Sequence, residues 1–169
     1  VAAAGVIVGT HLALLTGQAG AVWAGPAPEQ RIWCLEGTPV NILLVDDYHE
    51  SRRRMAQFMR HFGHRVVETG NGHEALDAFD RQHFHLVMTD VRMPKMDGLE
   101  LLHRVRSRRR AEEVDVVLFS AHADREAAEE ARLSGASAFL VKPVAIRELV
   151  AVLQQAEHKH ACLEGVEGR

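Results

Sequence analysis

Four polar clusters in this 169-residue chain each stand directly behind a short apolar run. Asp46-Asp47 follow NILLV, Asp90 follows HLVMT, Ser120 follows VVLF, and Lys142-Pro143 follow AFLV. Short apolar runs with little alternation suit strands buried on both faces, as in parallel sheets. In an open parallel α/β sheet the carboxyl ends of the strands line one crevice. The pattern thus gathers three carboxylates, a hydroxyl and an ammonium at one edge of the fold. Such a set can hold a hard cation and receive a phosphoryl group.

The stretch from Val40 to about His158 alternates regularly. Strands are expected at Asn41–Val45, Arg65–Glu68, His85–Thr89, Val114–Phe119 and Ser137–Val141. Between them run helical stripes: Met55, Phe58, Met59 and Phe62; Ala75, Leu76 and Phe79; Leu99, Leu102 and Val105; Leu149, Val152, Leu153 and Ala156. Each keeps the spacing of one buried helix face. The Ala-rich segment from Asp124 to Leu133 supplies a further helix with opposite charges three and four apart. Gly63 and Gly135 stand where helices should stop, and Asn71-Gly72 where one should start. Five strand-helix units in a row predict a parallel sheet covered on both faces.

Asp46 to Asp90 is 44 residues, Asp90 to Ser120 is 30, and Ser120 to Lys142 is 22, so each polar group returns to the same edge. If the first and third of these strands are neighbours, Asp46, Asp47 and Asp90 converge. Three carboxylates so close repel one another until a proton or a cation intervenes. All-oxygen ligands with room for water suit Mg²⁺. A carboxylate can also attack phosphorus to give an aspartyl phosphate, and the transferring group needs positive charge and donors around it. Lys142 offers the charge and Ser120 the hydroxyl. A strand-ending Asp pair or a Lys-Pro dipeptide alone is ordinary structure; the ordered combination is what carries meaning.

The segments LLVDD, LVMTDVRMPKMDGLELL, LFSAHAD and AFLVKP carry these residues. They resemble the signature of response-regulator receiver domains of two-component signalling (CheY-like), over about residues 40–158. The resemblance implies a doubly wound, flavodoxin-like sheet of five parallel strands in the order 2-1-3-4-5. It implies that Asp90 is the phosphoacceptor, supplied by a histidine kinase or a histidine phosphotransfer protein. It implies that Asp47 ligates Mg²⁺ directly, that Asp46 places it partly through water, and that Asp90 and the backbone carbonyl of Arg92 complete the metal site. Lys142 then pairs with phosphoryl oxygens, and its bond to Pro143 is expected to be cis. Ser120 reorients toward the phosphoryl group, small Ala121 leaves room, and Arg92 and His122 tune the lifetime of the modification. The switch aromatic of the family falls at Phe139, which cannot donate a hydrogen bond as the commoner Tyr can; a plain core role is equally open. By the same resemblance a downstream protein docks on the face formed by residues 124–132, Phe139 and residues 145–156. The chain is then a signalling phosphoacceptor rather than an enzyme.

Two other readings are weighed. One is the C-terminal receiver of a hybrid sensor histidine kinase, present as a fragment. The other is a Mg²⁺-dependent phosphohydrolase with an aspartyl nucleophile. Such enzymes place a second acid two residues after the nucleophile, and here that residue is Arg92.

Composition adds limits. The net charge of −3 exerts no general pull toward nucleic acid. Arg52-Arg53-Arg54 and the arginines at 104, 106 and 108–110 lack a reader motif; they are read as solvated helix faces and a charged helix end, or else an encounter surface for an acidic partner. Cys34 and Cys162 do not make a disulfide framework, which favours a reduced, cytoplasmic setting. Residues 1–39 are read apart as an apolar extension and linker. Residues 1–28 carry no charge, and three roles are open for them: a poorly ordered extension, a membrane contact, or part of an upstream domain. The chain begins with Val, which suggests a fragment, a processed product or a misjudged start. Residues 159–169 are expected to be a solvated tail, with a metal group at His158, His160 and Cys162 as the sharper alternative. The 27 residues after Lys142 suffice for one helix and that tail, so no C-terminal output domain is expected.

Overall fold

A computed structural model describes residues 21–24, 38–108, 113–122 and 125–167. The strands are β1 (Ala21–Ala24), β2 (Asn41–Val45), β3 (Arg65–Thr69), β4 (Leu86–Asp90), β5 (Asp115–Ser120) and β6 (Ala138–Val141). The helices are α1 (His49–His61), α2 (Gly72–Arg81), α3 (Gly98–Arg106), α4 (Arg125–Leu133) and α5 (Ile146–Glu167). The sheet order is β1-β6-β5-β4-β2-β3. The five strands from β2 onward are mutually parallel. Numbered from β2, they stand in the expected order 2-1-3-4-5.

Side-chain period explains why these strands need helices on both faces. Leu43 and Val45 of β2, Val87 of β4, Val116 and Leu118 of β5, and Phe139 of β6 enter one core with α2, α3 and α4. The alternate residues Ile42, Leu44, Leu86, Met88, Val117, Phe119, Ala138 and Leu140 enter a second core with α1 and α5. Each fully buried Leu, Ile or Phe contributes about 1.5–3 kcal/mol, so neither face can be left to water.

Local chemistry places the helix ends. Asn71 caps α2 by accepting the Glu74 N–H at 3.0 Å, and Glu74 accepts the Gly70 N–H at 3.1 Å in return. Asp97 caps α3 by accepting the Glu100 N–H at 2.8 Å. Gly98 is required by close approach: a Cβ there would lie 2.2 Å from the Asp90 carbonyl oxygen. The turn after β4 therefore presses α3 onto the backbone of Asp90. Gly135 follows α4 at φ +85°, a conformation that costs other residues strain.

Several boundaries differ from the expectations. β4, β5 and β6 each start one residue later, and β3 ends one later, at Thr69. β4 and β5 also reach one residue further, to Asp90 and Ser120, because ladder bonding continues into the site, with Val91 N–H donating to Phe119 O at 2.9 Å. α5 runs on to Glu167 instead of giving way to a tail near residue 158. It is held there by Lys159, whose Nζ lies 3.0 Å from Asp115 Oδ1, and by the His160 ring, 3.6 Å from that of His85. Finally, Ala21–Ala24, inside the stretch read as an extension, pairs antiparallel with β6 as a sixth, edge strand. The remaining expectations for residues 1–20 and 25–37 lie outside the described residues, as do those for Arg109, Arg110, Asp124 and the side chain of Cys162. Among the described residues no helix is long and apolar enough to cross a membrane.

Candidate functional site

The C-terminal ends of β2, β4, β5 and β6 bring the expected residues together. Asp46 follows β2, Asp90 ends β4, Ser120 ends β5 and Lys142 follows β6. β2 and β4 are adjacent, with Val45 opposite Thr89, which puts the Asp46-Asp47 loop beside Asp90. Oxygens of Asp46, Asp47 and Asp90 all lie within 4.8 Å of one another. Asp46 and Asp90 are buried and Asp47 is exposed. Two inward acids and one that faces water make a donor set of oxygens alone, open on one side. This fits a hard divalent cation that keeps part of its hydration shell. Among the described residues it is the one group of three or more acids, histidines or cysteines so arranged.

Lys142 ties the site together. Its Nζ donates to Asp46 Oδ2 at 2.9 Å and to Asp90 Oδ2, and it lies 4.7 Å above the centre of the Phe119 ring. Burial works against its charge, but the hydrogen bonds to Asp90 and Asp46 outweigh it and hold its pKa above the ordinary lysine value. Lys142 therefore stays an ammonium through the neutral range. The Lys142–Pro143 peptide is cis, as expected. The Lys142 N–H donates to Ser120 O at 2.7 Å, so the ladder itself joins the ammonium and the hydroxyl. Ser120 Oγ is buried and accepts the His122 N–H at 3.3 Å.

The Arg92 N–H donates to Asp90 Oδ1 at 3.1 Å, which brings the backbone after β4 against the Asp90 carboxylate. Phe139 is fully buried in β6, on the face covered by α4, among Leu118, Ala127, Ala128 and Ala131. It sits three residues before Lys142, but it points into the core and not into the acidic site.

Two partners were not legible in the spacing. Tyr48 N–H donates to Asp46 Oδ1 at 2.8 Å. Arg52 donates from Nη1 to the Asp46 carbonyl. The three-arginine run at 52–54 reads as a solvated face, and Arg53 and Arg54 are exposed, yet the Arg52 side chain is only 14% exposed. Arg106 and Arg108 likewise turn back to the protein. Arg106 donates to Val114 O and Gly135 O at 2.9 and 2.8 Å, and Arg108 makes a paired contact with Asp80 at 2.6 and 2.9 Å. The signal that separates them is helix phase: Arg52 lies one turn before the buried Ala56, and Arg106 follows the buried Val105.

Comparison with known proteins agrees with this geometry. The family model for the response regulator receiver domain matches residues 42–154. The transcriptional regulatory protein PdtaR of Mycobacterium tuberculosis is 32% identical over 131 residues, covering 77% of this chain and 62% of that protein. The chain thus spans somewhat under two thirds of that relative's length. A probable chemotaxis protein CheY of Rhizobium etli is 29% identical over 116 residues, covering 68% of this chain and 90% of its own. Among solved structures, the chemotaxis response regulator CheY4 of Vibrio cholerae superposes with a TM-score of 0.65 at 28% identity, over 70% of this chain and 99% of that one. The receiver domain of Ssk1 of Saccharomyces cerevisiae, crystallised with the histidine phosphotransfer protein Ypd1, shares the fold with a TM-score of 0.68 at 22% identity, over 74% and 93% of the two chains. The parallel sheet, the acidic cluster at its carboxyl edge and the family match agree: this chain belongs to the response-regulator receiver domains of two-component signalling.

Proposed function

We propose that the chain takes a phosphoryl group from a phosphohistidine onto Asp90 and thereby changes its affinity for a partner protein. The observation that carries this reading is the Lys142 ammonium shared between Asp46 and Asp90, beside an exposed third acid. In the transfer an Asp90 carboxylate oxygen attacks phosphorus. The phosphorus–nitrogen bond to the donor imidazole breaks, and the electron pair leaves with that imidazole, which takes up a proton from water. The product is an acyl phosphate on Asp90. Lys142, charged throughout, follows the negative charge from the carboxylate to the phosphoryl oxygens. Mg²⁺, held by Asp46, Asp47, Asp90 and the Arg92 carbonyl, would supply further neutralisation of these oxygens. Ser120 exchanges its contact with the His122 N–H for one to the phosphoryl group.

The donor is a histidine kinase or a histidine phosphotransfer protein, the class of partner with which the Ssk1 receiver was crystallised. The receiving face for a downstream protein is α4, β6 and α5, with Phe139 beneath it. β1 lies along the outer edge of β6, so a partner on that face meets β1 as well. The setting is the cytoplasm, where phosphohistidine donors are made. With Mg²⁺ and acetyl phosphate, wild-type protein should gain the mass of a single phosphoryl group, and Asp90→Asn should gain none. An unmodified wild-type mass sinks the reading.

A further inference from the structure

Asp46 has every polar group engaged. Its N–H donates to Thr69 O at 3.3 Å, its Oδ1 accepts the Tyr48 N–H at 2.8 Å, and its Oδ2 accepts Lys142 Nζ at 2.9 Å. Its carbonyl accepts from Arg52 Nη1. That carbonyl belongs to the peptide joining Asp46 to Asp47. Whatever holds it sets the plane of this peptide, and so the direction in which the exposed Asp47 leaves the chain. Helix and sheet both locate Arg52. Its backbone N–H donates to Tyr48 O at 3.1 Å in the first turn of α1, and its buried Nε, which makes no hydrogen bond, lies 3.7 Å from Glu68 Oε2 on β3 as a charge contact. Glu68 is fixed in turn by Arg60 at 2.8 Å. Gly70 borders the guanidinium closely enough that a Cβ there would lie 3.6 Å from Nη1.

We infer that Arg52 is a positioning residue for the cation site: through the Asp46 carbonyl it aims Asp47 at the ion. The inference rests on the reading of Asp46, Asp47 and Asp90 as that site. Two physical effects of Arg52 have opposite signs, which makes the idea sharp. As a bare charge beside the acids, Arg52 repels a bound cation, so its removal should tighten binding. As the support of a ligand-bearing peptide, its removal should weaken binding, by roughly tenfold on the scale of outer partners of metal ligands.

The test is Mn²⁺ binding by the full chain without any phosphodonor, followed through the electron paramagnetic resonance of free Mn²⁺, with circular dichroism melts alongside. Arg52→Gln should bind Mn²⁺ roughly tenfold more weakly. Arg52→Lys keeps the charge and a single donor, and should recover part of the loss. Glu68→Gln, which touches no acid of the site, should weaken binding by a smaller factor. Affinity for Mn²⁺ equal to or tighter than wild type in folded Arg52→Gln overturns the inference. If that variant does not fold, wild-type affinity in both Arg52→Lys and Glu68→Gln overturns it. Wild-type protein that binds no Mn²⁺, or binds it equally well as Asp47→Asn, instead breaks the cation-site reading, and the inference with it.

Discussion

The two ends of the central strands carry titratable clusters built on opposite principles. At the carboxyl end, Asp46, Asp47 and Asp90 face one another, and their charge is balanced by Lys142 on a flexible stem. At the amino end of the same strands sit His83, His85 and His160, with ring centres 4.9 and 3.6 Å apart. There His85 is tied to the fold as a neutral base: its Nδ1 accepts the Asn41 backbone N–H at 2.8 Å. Burial, and then His160 and His83, push its pKa down to about 4. Nearby, Asp115 Oδ1 accepts from Ser137 Oγ at 2.8 Å and from Lys159 Nζ at 3.0 Å, while its buried Oδ2 has no hydrogen-bond partner. One end holds like charges together around a single counter-ion on a flexible stem. The other end keeps a buried histidine neutral on a backbone contact and pairs its acid with a lysine. Buried titratable groups alone therefore do not single out the carboxyl edge; several like charges around one counter-ion do.

The largest expected break in this contrast is Lys142→Met. It leaves Asp46 and Asp90 buried without their ammonium. Removing one member of a wholly buried pair costs roughly 3–5 kcal/mol. With Lys142 22% exposed, we expect about 2–3 kcal/mol less stability in urea denaturation at neutral pH without divalent ions. Added Mg²⁺ should restore part of it, because a cation between the acids replaces the missing charge. A loss that Mg²⁺ leaves untouched would mean that Lys142 is a packing group and not a counter-ion.

A smaller effect is expected at the amino end. The folded pKa of His85, about 4, lies below its ordinary 6.5, so the unfolded chain binds more protons between these values. His85 therefore costs stability progressively as pH falls from 6.5 to about 4, and nothing above that window. Glu157 of α5, beside His64 and raised by burial, acts in the opposite sense, since a neutral Glu157 suits the fold at low pH. Comparison of His85→Phe with wild type isolates the histidine: the variant should lose less stability on acidification. Parallel stability curves across that window would remove the protonation argument.

The smallest effect belongs to β1. Removal of residues 1–28 deletes a short edge ladder, whose net hydrogen-bond gain of about 1 kcal/mol per bond is largely offset by about 1–2 kcal/mol per residue of backbone ordering. Thermal unfolding should change by under about 1 kcal/mol. A large loss would make β1 part of the core fold and not an addition to it.

Much of the framework was legible because it repeats. The runs ILLV, LVMT, VVLF and AFLV are buried on both faces, and the helical stripes at Met55–Met59 and Leu149–Ala156 keep a single period. The acidic site was legible for the same reason: strand ends in a parallel sheet share an edge whatever the helices do. What escaped was decided by contacts between distant segments. Which of three successive arginines turns inward depends on the phase of α1 against the Asp46 loop. AVWA gives no alternation to read, and its partner is β6, more than a hundred residues away. The continuation of α5 past residue 158 brings Lys159 and His160 to Asp115 and His85, contacts across the fold that no local pattern shows. Gly98 is legible as a turn residue, but the 2.2 Å approach that demands it is not.

By itself, then, the amino-acid sequence determined the layered α/β architecture and the identity of the acids, the hydroxyl and the ammonium at its edge, because burial periodicity and strand-end position are local properties of the chain. Only the tertiary structure decided how those groups are held: Lys142 between Asp46 and Asp90, Phe139 turned into the core, Arg52 on the Asp46 carbonyl. These are distances across elements, set by how helices pack onto a twisted sheet, and no local period encodes them.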